Sequence, residues 1–489
     1  MTRTAFRNLP TTLFAVCALL LSACGKDEQR PALDCTQRSV LLHGRAGATS
    51  SFVVSAGGPW ELSVSGEGFD AAPKRGGRGE TLVTVTAAEE NTLHTRRELG
   101  SLEIRLSGYD ITEQVSVAQS PAVVPRTVLM YFPWSGNLTS YFRQNIADME
   151  RIVAQGLPGD ERLLVFFMDT QTHAVLFELL HDDGASSRLE IKEYSTAPDF
   201  TTAEGIAQIL DAARQAAPAD RYAMTIGSHG MSWLPVSAAS ARAMTADGGA
   251  EREYWEWEEE GRPLTRWFGG TKAAHRTEIG TLADGIRAAG MKMDYILFDD
   301  CYMSSVEVAY ALQEVTDHLI GSTCEIMAYG FPYAEMGRYL FGETDYAAIC
   351  RAFHDFYSTY RDPYGTIGVT VCAELKGLAD VMRRINARYT FDERRLDDLQ
   401  ALDGYTPVRF FDLGDYVRRL CTDDALLSEF EERLERVVPA DYRRHTPEYY
   451  SMSSSAHPIR TFSGITCSDP SISPATSAKR ETAWWKATH

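Results

Sequence analysis

The stretch that most constrains this chain runs from Met293 to Glu307. Tyr295-Ile296-Leu297-Phe298 is a continuous apolar run that stops at Asp299-Asp300-Cys301. A run of this length, uniformly apolar rather than alternating, suits a strand buried on both faces, as in a parallel sheet. Ser304, followed three residues later by Glu307, has the form of a capping box, and Val306, Val308, Ala309, Ala311 and Leu312 continue with helical apolar spacing. Cys301 is therefore expected in a strand-to-helix turn. The unpaired N–H groups and positive dipole end of the following helix would favour a thiolate there.

A second stretch repeats the design. Tyr222-Ala223-Met224-Thr225-Ile226 reads as a strand and is broken at once by Gly227-Ser228-His229-Gly230. Carboxyl ends of strands in an open parallel sheet converge on one crevice, so His229 and Cys301 can meet across the intervening sequence. A thiol and an imidazole at two such ends suggest a nucleophile and its base.

The remaining pattern from Arg126 onward alternates strands and helices. Strands are expected at Arg126 to Phe132, Arg162 to Asp169, His318 to Ser322 and Thr366 to Val371, with a sheet edge at Ala174 to Leu180. Helices are expected at Tyr141 to Gln155, Thr202 to Ala216, Gly280 to Ala289, Tyr346 to Thr359 and Leu375 to Arg388, and near Phe411 to Leu420 and Ala425 to Val437. The order predicts an α/β domain with a mostly parallel sheet and helices on both faces. Between His229 and Cys301, Val236 to Thr281 forms a poorly patterned insertion with an acidic run at Glu251 to Glu260. Such runs are usually solvated.

Upstream the periodicity changes. Ser51 to Val54, Trp60 to Val64, Thr81 to Thr86, Ser101 to Leu106 and Gln114 to Val117 are short alternating segments separated by turn clusters such as Gly57-Gly58-Pro59. They predict a small antiparallel sandwich over residues 38–120, joined through Ser120 to Pro125 to the second domain at 126–489. Trp60, Asn91, the pair Arg96-Arg97 and the closing Val117-Ala118-Gln119 resemble the BACON domain, an immunoglobulin-like module. That resemblance implies either glycan binding or a spacer, and with no binding site visible in the sequence we favour the spacer, with Trp60 in the core.

At the start, Arg3 and Arg7 precede the apolar stretch Leu13 to Leu21, too short to cross a bilayer but suited to a secretory signal. Leu21-Ser22-Ala23-Cys24-Gly25 resembles a bacterial lipoprotein box. This implies a signal peptide at 1–23, lipidation at Cys24, a tether at 24–37, and a chain exported through the inner membrane and lipid-anchored at the cell envelope, outer membrane or cell surface. Of nine cysteines, Cys17 then leaves with the signal and Cys24 carries lipid. An odd set remains (Cys35, Cys301, Cys324, Cys350, Cys372, Cys421 and Cys467) without C-x-x-C spacing, which indicates neither a zinc site nor a disulfide framework. Cys324 and Cys372, in or near apolar strands, read as core.

The formal net charge of −19 argues against a nucleic-acid partner and would attract cationic substrates. Together, Ser228-His229-Gly230-Met231-Ser232-Trp233 and Asp299-Asp300-Cys301-Tyr302-Met303-Ser304, each after an apolar strand, resemble the clostripain family of cysteine peptidases, with a caspase-like fold. Trp134-Ser135-Gly136-Asn137-Leu138 and Phe462-Ser463-Gly464-Ile465-Thr466 extend the likeness.

The resemblance implies a dyad of Cys301 as nucleophile and His229 as general base and acid, with the backbone N–H groups of Gly230 and Cys301 as oxyanion donors. It places Asp299 at the floor of the S1 pocket, with Asp300 standing where a smaller residue is usual, so either aspartate is a candidate for binding an Arg or Lys side chain of a protein or peptide substrate. It further implies self-cleavage between His229 and Cys301, where Arg242, Arg252, Arg266, Lys272 and Arg276 lie. Some members bind calcium, but no contiguous D-x-D-x-D-G loop occurs, and no metal or other cofactor is expected to be required. The competing reading is a lipid-anchored binding or adhesion protein on an inactive peptidase scaffold.

Overall fold

The computed structural model describes residues 32–93, 96–182, 184–235 and 277–489. The expected signal peptide, Cys24, most of the tether, and the insertion as far as Arg276 lie outside the described residues.

Among the described residues, nine strands build the front module: β1 (Leu33–Cys35), β2 (Ser39–Leu42), β3 (Thr49–Ala56), β4 (Trp60–Gly66), β5 (Phe69–Ala72), β6 (Arg75–Gly76), β7 (Gly79–Ala87), β8 (Arg97–Leu106) and β9 (Thr112–Gln119). They form two sheets, in the orders β1-β3-β7-β5 and β2-β9-β8-β4-β6. Alternation along each strand sends Phe52, Val54, Leu62, Val83, Val85, Leu102, Ile104, Val115 and Val117 into one core between them. Trp60 belongs to that core, with 1% of its surface exposed. The sandwich starts earlier than composition suggested. β1 lies inside the stretch expected to be a tether, because Leu33 and Cys35 flank the outward-facing Asp34 and pair with β3.

The second domain is organised on a nine-stranded sheet. Its strands include β10 (Val124–Phe132), β11 (Arg162–Met168), β12 (Ala174–Asp182), β13 (Ala185–Tyr194), β14 (Ala219–Gly227), β15 (Met293–Asp299), β16 (Thr316–Gly321) and β17 (Thr366–Val371). A two-residue strand, β18 (Phe411–Asp412), pairs elsewhere, and β19 (Arg443–His445) completes the sheet in the order β13-β12-β11-β10-β14-β15-β16-β17-β19. The five central strands are mutually parallel, and antiparallel pairs close each side. β12 is thus not an edge: β13, whose residues are mostly exposed and lack an apolar period, takes that place.

The helices α1 (Thr139–Val153), α2 (Ala203–Ala216), α3 (Ile279–Ala288) and α4 (Val306–Leu312) connect these strands. In α1 the buried Phe142, Ile146, Met149, Ile152 and Val153 recur at helical spacing and form the face laid against the core. The other predicted helices stand at Tyr346–Thr359, Leu375–Asn386, Leu413–Leu420 and Asp424–Val437.

The two domains meet at the amino end of β11. Arg162, 7% exposed, pairs with Glu178 through Nε at 2.6 Å and Nη2 at 2.5 Å, and Nη2 also lies 3.0 Å from His43 Nδ1 of the sandwich. Nearby, the Arg96 backbone N–H donates to Asp160 at 3.2 Å. Among the described residues no helix is long and apolar enough to cross a membrane.

Candidate active site

Chain order in the sheet reverses at β10, which has β11 on one side and β14 on the other, so the crevice opens at the carboxyl ends of β10, β14 and β15. Register puts Tyr131 beside Ile226, Ile226 beside Phe298 and Gly227 beside Asp299. Three turns therefore leave the sheet side by side: Pro133 to Leu138, Ser228 to Gly230, and Asp300 to Ser305.

In the third turn, Tyr302 has φ 64°, the left-handed region that a bulky residue rarely enters. Backbone bonds from Tyr302 N to Cys324 O (3.0 Å) and from Ser304 N to Ser322 O (2.9 Å) hold the turn alongside the segment after β16. The helix cap falls one residue later than the sequence pattern suggested. Ser305 caps α4, its hydroxyl accepting from Val308 N at 3.3 Å, while the Ser304 hydroxyl donates to Gly464 O at 2.8 Å. Thr466 N also bonds Ser304 O at 3.0 Å, so the Phe462 to Thr466 motif buttresses this turn from behind. Glu307 is buried and pairs with Lys479 at 2.9 Å instead of returning to a cap.

Cys301 is fully buried, and its sulfur lies 3.3 Å from the backbone N–H of Ile326. That donor comes from the segment after β16, a partner absent from the sequence reading. The adjoining Glu325 is 1% exposed and accepts the Tyr302 hydroxyl (2.9 Å), the Ser451 hydroxyl (2.7 Å) and Met452 N (3.0 Å to Oε2). Burial first, then the Glu325 charge, hold the Tyr302 phenol well above its ordinary range, so it remains a donor.

His229 sits on the second turn with Nε2 3.0 Å from Asn137 Oδ1 and its ring edge-on to Trp134, centroids 4.8 Å apart. The next residue touches the cysteine turn directly. A methyl group on Gly230 would lie 2.4 Å from Cys301 O and 3.0 Å from Cys301 N, so only glycine permits this approach. Gly230 and Cys301 thus lie against each other at the strand ends, with His229 one residue before the contact.

The aspartates diverge. Asp300 Oδ1 accepts from Ser228 N, tying the second and third turns together, and its side chain shares a cavity of about 100 Å³ with Trp134, Ser228, His229, Met231 and Met303. Asp299 is fully buried, and its Oδ1 accepts from Phe331 N at 2.8 Å. Cys324 and Cys372 are core residues, and no disulfide joins the described cysteines. Among the described residues, no group of three or more His, Cys, Asp or Glu side chains is placed to hold a metal.

With this geometry established, residues 130–387 match the clostripain family of peptidases over more than half of the chain. The chain belongs to the clostripain family. Among solved structures, the clostripain-family chain is 53% identical to a secreted C11 cysteine protease from Bacteroides thetaiotaomicron, iotapain, over 75% of its own length and 100% of that chain, with a TM-score of 0.68. An inactive zymogen C11 protease from Parabacteroides distasonis is 27% identical over 76% of this chain and 99% of its own, at TM-score 0.61. A further secreted C11 protease from Bacteroides thetaiotaomicron, in complex with an irreversible peptide inhibitor, is 22% identical at TM-score 0.61 over 74% of this chain and 98% of its own, and shares the fold. A search of curated proteins returns no match.

Clostripain-family membership makes this a cysteine peptidase scaffold, and the geometry shows what its turns can do. The turn that carries His229 touches the turn that carries Cys301 through Gly230, where parallel strands end. A thiol, an imidazole and backbone N–H groups are the kinds of group that a nucleophile, a proton carrier and an oxyanion site call for.

Proposed function

We propose that this protein is a cysteine endopeptidase that hydrolyses peptide bonds after arginine or lysine. The observation that carries the reading is the backbone contact between Gly230 and Cys301, which sets His229 beside the cysteine turn. His229 takes the thiol proton, the sulfur attacks the scissile carbonyl, and His229 returns the proton to the leaving amine. Water then cleaves the thioester, with His229 as base, and the N–H groups of Gly230 and Cys301 receive the oxyanion, each typically contributing about 3 kcal/mol. These steps use side chains and backbone alone and call on no cofactor.

Asp299 is the proposed S1 carboxylate. Its burial at the strand end supports this, because a buried anion is stabilised strongly by a cationic side chain brought to it. Asp300, bonded to Ser228, is assigned to holding the two turns together. We also propose export, with a lipid on Cys24 and the sandwich over residues 38–120 as a spacer before the peptidase domain at 126–489. The relative iotapain is described as secreted, which supports export.

The full burial of Cys301 favours a second reading, a scaffold without activity. Hydrolysis of fluorogenic Arg and Lys peptides by wild type, Cys301→Ala and His229→Ala decides between them. Turnover by wild type alone is expected. Equal turnover by all three, or none by wild type even after prolonged incubation, removes the assignment.

A further inference from the structure

We infer that Asn137 is a positioning residue for the reaction, holding His229 in the tautomer that leaves Nδ1 as the basic atom. The inference rests on the Cys301–His229 reading and adds to it a third group that the dyad scheme does not require.

Asn137 Oδ1 is an acceptor only, and it faces His229 Nε2 at 3.0 Å. An acceptor at that distance places the hydrogen of the neutral ring on Nε2 and the lone pair on Nδ1. Nδ1 is therefore the atom that takes the proton from Cys301 Sγ, the S–H bond breaking as the N–H bond forms. The imidazolium that results keeps its Nε2–H bond to Asn137. The proton later passes from Nδ1 to the departing amine, and the ring returns to its starting tautomer.

The turn carrying Asn137 is built for this contact. Gly136 N and O bond to Thr139, at 2.9 Å to the side-chain Oγ1 and at 3.2 Å from the backbone N, fixing the turn to the start of α1. A methyl group on Gly136 would lie 2.4 Å from the Trp134 ring, so the loop folds directly over the indole whose ring meets His229. Trp134 limits the imidazole from one side and Asn137 orients it from Nε2. The Trp134 to Asn137 sequence thus has a physical reading: a wall, a close approach that only glycine allows, and an acceptor.

The test uses the full chain and its Asn137→Ala and Asn137→Asp variants, with His229→Ala as control. Asn137→Ala should lower kcat ~10- to 100-fold with KM within about two-fold, a part of the usual general acid–base contribution. Asn137→Asp, equal in size, should retain more activity. Its carboxylate should move the acid limb of the kcat/KM profile to higher pH by about one unit. A purely structural role would not produce that shift. Wild-type kcat in Asn137→Ala together with an unmoved acid limb in Asn137→Asp overturns the inference. If His229→Ala is itself fully active, the Cys301–His229 reading fails instead.

Discussion

Tyr302 and Glu325 are joined side chain to side chain, phenol to carboxylate at 2.9 Å, directly behind the sulfur of Cys301 and the N–H of Ile326 that meets it. The left-handed backbone at Tyr302 is secured by a group from another strand end. Replacing Glu325 by alanine leaves the Tyr302 and Ser451 hydroxyls and Met452 N without their buried acceptor, at about 1–3 kcal/mol each. Glu325→Ala should therefore lose at least about 3 kcal/mol in urea unfolding, and Tyr302→Phe about 1 kcal/mol. Wild-type midpoints for both variants would show that the turn is held by other contacts.

The S1 assignment predicts a loss of charge selectivity. Asp299→Asn should reduce kcat/KM for arginine substrates about 100-fold, as removal of one member of a desolvated charge pair costs roughly 2–5 kcal/mol. Turnover of the neutral citrulline analogue should change little. Loss of arginine-over-citrulline preference in Asp300→Asn but not in Asp299→Asn would transfer the role to Asp300.

Asp403 gives the fold a pH dependence. Its carboxyl is pushed up to about 7 by burial, against three backbone bonds from Tyr405, Arg409 and Phe410 at 2.6 to 2.8 Å. A raised carboxyl pKa means that the folded chain binds the proton more tightly than the unfolded chain. Stability is therefore greatest below the unfolded value and falls as pH climbs towards 7. Between pH 5 and pH 8 this group alone should remove about 3 kcal/mol, and Asp403→Asn should flatten the profile by that amount. Parallel denaturation profiles for the two proteins would refute the account.

His43 should make domain docking sensitive to acid. Burial, and then the adjacent Arg162, lower its pKa, while Glu178 opposes the shift. A depressed histidine pKa contributes stability that is complete above the free value near 6.5 and is lost as pH falls below it. Limited proteolysis of the Ser120 to Pro125 junction should accelerate at pH 5 relative to pH 7.5, and His43→Gln should suppress the difference. Equal cleavage at both pH values in wild type would exclude His43 as the sensor.

How far the sequence revealed this molecule depends on the range over which each feature is encoded. β15 was legible because four consecutive apolar residues, Tyr295 to Phe298, end at two acids and a cysteine, a signal contained in its own segment. β13 was not: its Glu, Lys and Ser residues are mostly exposed, and pairing with β12 gives it strand form. The Ser304 cap was misplaced for a similar reason. The spacing to Glu307 fits a local rule, but Gly464 and Thr466 claim Ser304, and Lys479 claims Glu307. Asn137 and Glu325 remained invisible as partners of His229 and Tyr302, because distance along the chain carries no pattern for a single hydrogen bond.

The sandwich grips the sheet where β11 begins, whereas all three turns of the crevice leave from strand ends on the far side, roughly 20 Å of strand away. If the crevice cuts proteins as proposed, the front module holds the end of the sheet opposite to the one its substrates would reach. A chain moored by its first residues would stand on that module as on a pedestal and work on whatever drifts past its outer rim.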